Sequence, residues 1–66
     1  MTNDEAKELF TYRHLPEHLQ LVSRQYYIQM NEIVIKHQER SFHRDAALQK
    51  LLEAKDAHVR LVAQKG

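Results

Sequence analysis

The sequence has few of the residues that stabilise or interrupt small folds. Its 66 residues contain no cysteine, one proline and one glycine, which is the last residue. The absence of thiols excludes disulfide bonds and leaves only histidine and carboxylate ligands for zinc. Proline and glycine are the usual breakers of helices, so their scarcity predicts an all-α domain.

Long apolar runs are also missing. No apolar run exceeds three residues, whereas a membrane-spanning helix needs about 20. The acidic opening MTNDEAKE differs from the basic and then apolar start of a signal peptide. We therefore expect a soluble, cytoplasmic chain with no membrane partner.

Neither sign of charge dominates. Ten Lys and Arg residues against nine Asp and Glu residues give a formal net charge of +1, and the pI is about 8.1. Proteins that bind nucleic acids usually carry a basic stripe and a higher pI, so we expect no DNA or RNA polymer as partner. Domains this short are only marginally stable alone, and oligomerisation is a common remedy.

The distribution of capping residues predicts one domain, residues 1–66, made of three helices. Pro16 suits the first turn of a helix, where its missing N–H costs nothing. Ser41 is a suitable N-cap for the following helix. Two long helices joined by a short loop predict an antiparallel helical hairpin. The predicted helices span residues 3–9, 16–40 and 42–63.

The second helix has apolar residues on two opposite sides, counted at about 100° per residue. One side predicts the core, together with a matching stripe on the third helix: Leu19, Val22, Tyr26, Met30, Ile33 and Val34, with Leu48, Leu51, Leu52, Val59 and Val62. The other side recurs every seven residues and is called here the outer stripe: Leu21, Ile28 and Ile35. A similar set on the third helix is called the shoulder: Ala47, Ala54 and Leu61.

One partner helix can cover only one of two opposed apolar sides. Contiguous exposed apolar surface usually marks an interaction site. We therefore predict that the outer stripe and the shoulder form the interface of a homo-oligomer. The alternative is that the first helix folds back over Leu21 and Ile28.

The chain offers no recognisable catalytic machinery. Ser23 and Ser41 lie in no nucleophile elbow, and a glycine-rich phosphate loop is absent. The five histidines form no HExxH motif, and Pro16 interrupts the helical face that His14 and His18 would otherwise share. We predict no enzymatic activity, no metal and no resident cofactor.

The stretch LFTYRHLPEHL gathers aromatic and basic residues around the only proline. Tyr12 lies outside regular helix, beside Arg13. An aromatic ring can stack on a nucleobase while a guanidinium binds phosphate. The alternative is structural, with Phe10 and Tyr12 fixing the first helix onto the others, and the residues alone favour this alternative.

Arg44 stands in the first turn of the third helix. A cation there opposes the helix dipole, although Asp45 can offset it locally. Backbone N–H groups at a helix start together with an arginine also make a good anion site. In a symmetric oligomer, several such helix ends could converge on a ligand with several phosphates.

Two segments, FTYRHLPEHL and RDAALQKLLEAKDAHVRLVA, resemble the small helical-hairpin proteins of the phage anti-CBASS cyclic-oligonucleotide sponge family. The chain is similar as well to the hairpin part of phage anti-Thoeris sponges, which sequester cyclic ADP-ribose signals. The resemblance covers about residues 10–63. It rests on the aromatic-Thr-Tyr opening followed by proline, and on the spacing R-x-x-A-L-x-x-L-x-x-A from Arg44.

This resemblance implies non-enzymatic sequestration of immune second messengers, by which a phage evades CBASS-like defence in the host cytoplasm. Family members look like compact homo-hexamers that bind cyclic dinucleotides between protomers and, in some members, cyclic trinucleotides at separate sites. For the dinucleotide pocket, the resemblance implies that Tyr12 stacks on a base and that Arg13 or Arg24 binds phosphate. The N-terminal segment is short for the family. The arginine linked to trinucleotide phosphates corresponds to Arg44.

We therefore expect a homo-oligomer, by resemblance a hexamer, that holds a cyclic di- or trinucleotide as ligand. The alternative is a protein-interaction module that docks a partner helix on the outer stripe. A third interpretation, binding of DNA or RNA, is disfavoured by the balanced charge. The predicted ligand-binding residues are Phe10, Tyr12, Arg13, Arg24 and Arg44.

Overall fold

The computed structural model describes residues 2–65, with no side chain described for Lys65. The fold is all-α, as predicted, and residues 2–65 contain three helices and no strand. The helices are α1 (Asn3–Leu9), α2 (Glu17–Lys36) and α3 (Phe42–Lys65).

Helix α1 begins with a reciprocal cap. The Thr2 hydroxyl accepts a hydrogen bond from the Glu5 amide at 3.1 Å, and the Glu5 carboxylate accepts one from the Thr2 amide at 3.4 Å. This capping box satisfies two of the amides that every helix start leaves without a partner. The predicted span of residues 3–9 is the observed one.

Helix α2 starts at Glu17, one residue later than predicted, with Pro16 as its N-cap, and it ends at Lys36 rather than near residue 40. His37 leaves the helical region, with φ −129° and ψ 73°. Its carbonyl accepts a 2.6 Å hydrogen bond from Arg44 Nε. Carbonyls at the end of a helix have no partner within the helix. Here the side chain of Arg44, from the first turn of α3, supplies the donor.

Helix α3 starts where the sequence predicted. The Ser41 hydroxyl accepts a hydrogen bond from the Arg44 amide at 3.1 Å, which is the usual geometry of a serine N-cap. The helix runs to Lys65, beyond the predicted end at residue 63.

All three helices contribute to one small core. Its fully or nearly fully buried members come from α1, the residue that follows it, α2 and α3: Ala6, Phe10, Met30, Val34 and Leu48. Partly buried apolar residues surround them: Tyr26, Tyr27, Ile33, Leu51 and Leu52. Seven of the eleven residues predicted for the core stripes of α2 and α3 therefore belong to this core or pack against it.

Helices α2 and α3 also meet through polar atoms. The Tyr26 hydroxyl lies 2.7 Å from His58 Nδ1, within hydrogen-bond distance. The two rings pack edge to face, with their centroids 5.6 Å apart. A partly buried tyrosine usually finds such a partner for its hydroxyl.

The outer stripe is not covered by α1. Leu21, Ile28 and Ile35 are 67%, 56% and 60% exposed, and the shoulder residues Ala47, Ala54 and Leu61 are exposed as well. Helix α1 instead buries Ala6 in the core. The alternative in which α1 folds back over Leu21 and Ile28 is therefore wrong.

The molecule is elongated, which explains how a whole helix side stays uncovered. Its principal extents are 39 × 18 × 15 Å and its radius of gyration is 12.1 Å, compared with about 11 Å for a compact domain of this length. Among the described residues, no helix is both long enough and apolar enough to cross a membrane.

Candidate ligand-binding site

The residues between α1 and α2 form an ordered elbow. The Leu15 amide donates to the Tyr12 carbonyl at 3.1 Å. From α2, the Gln20 side-chain amide donates to the carbonyls of Leu15 at 2.8 Å and Arg13 at 3.4 Å. One glutamine thus ties the elbow to the first turn of α2 and fixes the backbone that carries Tyr12 and Arg13.

The elbow and α2 enclose a concavity of about 540 Å³, called here the elbow concavity. It is lined by Tyr12, Arg13, Glu17, Gln20, Leu21 and Arg24. The four α2 residues have the i, i+3, i+4, i+7 spacing of one helix side. The structure therefore brings together three of the five predicted ligand-binding residues, Tyr12, Arg13 and Arg24.

Tyr12 is held in place by a second aromatic ring. It is half-buried and packs edge to face on Tyr27, with the ring centroids 5.5 Å apart and the planes at 69°. Such a contact fixes the plane of the ring. The part of Tyr12 that borders the elbow concavity therefore has a defined orientation.

The elbow concavity has two guanidinium groups and one carboxylate. Arg13 and Arg24 are exposed, and neither guanidinium has a hydrogen bond or an ion pair within residues 2–65. Glu17 is the only acidic side chain among the lining residues. The local balance is one positive charge, and the arginine donors are available to an anion.

Phe10, the fourth predicted ligand-binding residue, lies in the core. It is 0% exposed, and the Lys55 ammonium lies 5.9 Å from its ring centroid. A ligand cannot touch Phe10 without opening the core. The structural alternative stated for the elbow therefore holds for Phe10, whereas Tyr12 borders the concavity.

Arg44, the fifth predicted ligand-binding residue, is buried and connects the three helices through hydrogen bonds. Its side chain is 1% exposed. Besides the bond to His37 O, the guanidinium donates to Asn3 Oδ1 on α1 and to Asp45 Oδ1 at 3.4 Å. The placement at the start of α3 was predicted correctly, but the guanidinium serves the fold in this structure.

A second concavity, of about 630 Å³, lies at the loop between α2 and α3 and is lined in part by Arg44, Arg40 and Lys36. The exposed cations there are already paired. Arg40 forms an ion pair with Asp45 at 3.1 Å, and Lys36 forms one with Glu32 at 2.7 Å. Lys36 also donates a hydrogen bond to the Glu32 carboxylate in this pair. The hydrogen bond and the positive charge of Lys36 both lower the pKa of the Glu32 carboxyl below its ordinary value.

Two residues of the elbow region were missed by the sequence analysis. Gln20 was not predicted, because no local signal in the sequence marks it as the residue whose side chain binds the elbow carbonyls. Lys55 is 7% exposed and donates to the Leu9 carbonyl at 2.9 Å. It lies seven residues after Leu48, so the core stripe of α3 could have shown that this position faces inward.

The histidines do not assemble into a metal centre. Within the part of the chain that the structure describes, no three His, Asp or Glu side chains come together as possible ligands. His58 contacts Tyr26, and the ring of His43 packs edge to face on Phe42 at 5.5 Å.

No family model, no curated protein and no solved structure matches this chain. The functional assignment therefore depends on the geometry and chemistry of the site. Of the two concavities described so far, the elbow concavity holds the only guanidinium groups that are exposed and without partners within residues 2–65.

Proposed function

We propose that this chain binds cyclic oligonucleotides in the elbow concavity and sequesters them without turnover. In this proposal it is a phage-type homo-oligomer in the host cytoplasm that withholds cyclic di- or trinucleotide messengers from CBASS-like immune effectors. The observation that carries the proposal is that Tyr12, Arg13 and Arg24, from two segments of the chain, line one concavity.

The chemistry of these side chains suits a nucleotide. A fixed aromatic ring stacks on a nucleobase, which is worth about 1–3 kcal/mol per base. A guanidinium binds phosphate oxygens through two parallel N–H donors, and the Glu17 carboxylate can accept from the amino groups of a base edge. The volume of about 540 Å³ lies within the range of about 300–1,000 Å³ that is usual for small-molecule sites.

The proposal places a second protomer beside the ligand. Leu21 lines the elbow concavity and is also the first residue of the outer stripe. If α2 and α3 act as an antiparallel hairpin that associates through the outer stripe and the shoulder, the open side of the concavity meets a neighbouring copy. A closed assembly such as a hexamer would repeat this boundary at every interface.

The proposal does not use Phe10 or Arg44 as ligand contacts. Phe10 is enclosed by the core, and the donors of Arg44 are directed at His37, Asn3 and Asp45. Cyclic trinucleotides stay within the proposal as ligands, with the elbow concavity as the site to be tested.

The direct test is a calorimetric titration of the wild-type protein with cyclic dinucleotides and cyclic trinucleotides. Binding of at least one of them well below 1 mM is expected. A dissociation constant of about 1 mM corresponds to only about 4 kcal/mol. If no member of the panel binds more tightly than that, the proposal is wrong.

Tyr12→Leu is expected to weaken cyclic-nucleotide binding about tenfold or more, because a stacked base contributes about 1–3 kcal/mol. Tyr12→Phe is the matched control, since it keeps the ring and removes only the hydroxyl. Calorimetry on both variants is the measurement. Equal affinities of the leucine and phenylalanine variants would show that no base stacks on this ring.

Ile28→Glu is expected to convert the oligomer to monomers, because it puts a charge in the middle of the outer stripe. Gln29→Glu is the control, since it adds the same charge at the next residue, which is exposed and lies outside the outer stripe. Sedimentation velocity at equal protein concentrations reports the mass of each. An unchanged oligomer in Ile28→Glu would exclude the outer stripe as the interface.

A second candidate function is the docking of a helix from another protein on the outer stripe. It is favoured by the exposure of 56–67% at three apolar residues with sevenfold spacing, which is how helix-binding surfaces present their anchors. A monomeric wild-type protein that binds no cyclic nucleotide would favour this function over sequestration.

A further inference from the structure

Lys55 is a buried cation without an ionic partner. The residue is 7% exposed, and within residues 2–65 its ammonium forms no ion pair. Its one hydrogen bond goes to a neutral acceptor, the Leu9 carbonyl, at 2.9 Å. Buried charges are normally paired, because removing a charge from water without compensation is costly.

The contacts of Lys55 explain the position of its side chain, but they use only part of its hydrogen-bond donors. The bond to Leu9 O satisfies a carbonyl at the end of α1 that has no partner within the helix. The Phe10 ring, with its centroid 5.9 Å away, adds a cation–π contact at the edge of the usual range. A lysine ammonium has three donors, so two of them are not used by the described residues.

Lys55 borders a third concavity, of about 270 Å³. The elbow forms one wall with His14 and Leu15, and α3 forms the other with Lys55, Asp56, Val59 and Arg60. This concavity shares no lining residue with the elbow concavity.

Basic groups outnumber acidic ones around this third concavity. Lys55 and Arg60 are cationic, and His14 adds an imidazole donor, against the single carboxylate of Asp56. Neither His14 nor Arg60 has a hydrogen bond or an ion pair within residues 2–65. One lysine, one arginine and one histidine therefore line a space of about 270 Å³, which is below the usual range of about 300–1,000 Å³ for small-molecule sites.

We propose that this third concavity binds a phosphate group between Lys55, Arg60 and His14. A phosphate presents oxygens in several directions and can accept from all three side chains at once, whereas a carboxylate presents two oxygens in one plane. The bound anion supplies the missing partner of the buried Lys55 ammonium. The site is independent of the cyclic-nucleotide site proposed above.

The test is a titration of the isotope-labelled protein with inorganic phosphate at constant ionic strength and neutral pH, followed by amide chemical shifts. Saturable shifts at Leu15, Val59 and Arg60 are expected, with a dissociation constant of about 1 mM or below. A second titration with a nucleoside monophosphate distinguishes a site for free phosphate from one that accepts a phosphate ester. Shifts that increase linearly with phosphate and never saturate would overturn the proposal.

Arg60→Gln is the informative variant because Arg60 is exposed and its replacement leaves the core intact, whereas replacing Lys55 removes a buried contact of α1. Phosphate affinity is expected to fall about tenfold in Arg60→Gln, because the variant loses a charged hydrogen-bond donor to the phosphate. Lys50→Gln is the control, because it removes one positive charge at an exposed position of α3 that lines none of the three concavities, and it should bind phosphate as the wild type does. Equal affinities of all three proteins would contradict the proposed site.

Discussion

Phe10→Ala is expected to unfold most of the protein at 37 °C. Phe10 is 0% exposed and packs in the cluster that joins α1, α2 and α3. Truncation of a buried phenylalanine to alanine costs about 3–5 kcal/mol. A domain of this length has a total stability of only about 3–10 kcal/mol, at about 0.05–0.15 kcal/mol per residue. The measurement is thermal unfolding followed by circular dichroism at a fixed protein concentration.

Phe42→Ala is the matched control, because Phe42 is the only other phenylalanine in the chain. It is 81% exposed, so its truncation should change the stability by no more than about 0.5 kcal/mol. A similar fall in the melting temperature of both variants would contradict the assigned core. Loss of ligand binding in Phe10→Ala would report unfolding and would not show that Phe10 touches the ligand.

Arg44→Ala is expected to lower the stability by about 3 kcal/mol or more. The change leaves the His37 carbonyl and the Asn3 side chain without their shared donor and removes a buried partner of Asp45. Each acceptor that loses its hydrogen-bond donor in a partly buried site costs about 1–3 kcal/mol. In a domain of this size the melting temperature falls by about 4–8 °C per kcal/mol.

Arg40→Ala provides the comparison, because Arg40 is also paired with Asp45 but its side chain is 58% exposed. Exposed ion pairs contribute about 0–1 kcal/mol, so the expected loss is small. Arg44→Lys should recover only part of the stability, since one ammonium cannot reproduce the planar set of donors. Equal stability of Arg44→Ala and Arg40→Ala would show that Arg44 does not tie the helices together.

Local rules predicted most of the secondary structure. Pro16 and the capping residue Ser41 act on the backbone within one helical turn, so the starts of α2 and α3 could be predicted to within one residue. The end of α2 could not be predicted. It depends on Arg44, seven residues beyond His37, whose donor reaches back to a carbonyl.

The part of the candidate site that lies on α2 could be predicted, because helical periodicity places its residues on the side of α2 next to the elbow. Glu17, Gln20, Leu21 and Arg24 share one side of α2, so the position of Arg24 near the elbow follows from spacing alone. The burial of Phe10 and the pairing of Tyr12 with Tyr27 depend on how α1 packs. Sequence periodicity does not specify that packing.

Charged residues in the core were the least predictable part of the structure. Arg44 and Lys55 are both nearly buried, although long charged side chains are almost never buried unless they are paired. Each donates a hydrogen bond to a backbone carbonyl at the C-terminal end of a helix. Arg44 donates to His37 O after α2, and Lys55 donates to Leu9 O at the end of α1. A sequence shows neither which carbonyls lack partners nor which cation will reach them.

Native mass spectrometry of the wild-type protein with and without a cyclic dinucleotide is the decisive experiment for sequestration by an oligomer, because one spectrum reports both subunit number and bound ligand. We expect a discrete homo-oligomer, a hexamer by resemblance, that gains the mass of one or more intact cyclic dinucleotides. The same experiment on Tyr12→Leu should show the oligomer with little or no ligand. A monomer, or an oligomer that gains no ligand mass, would show that the proposed function is wrong.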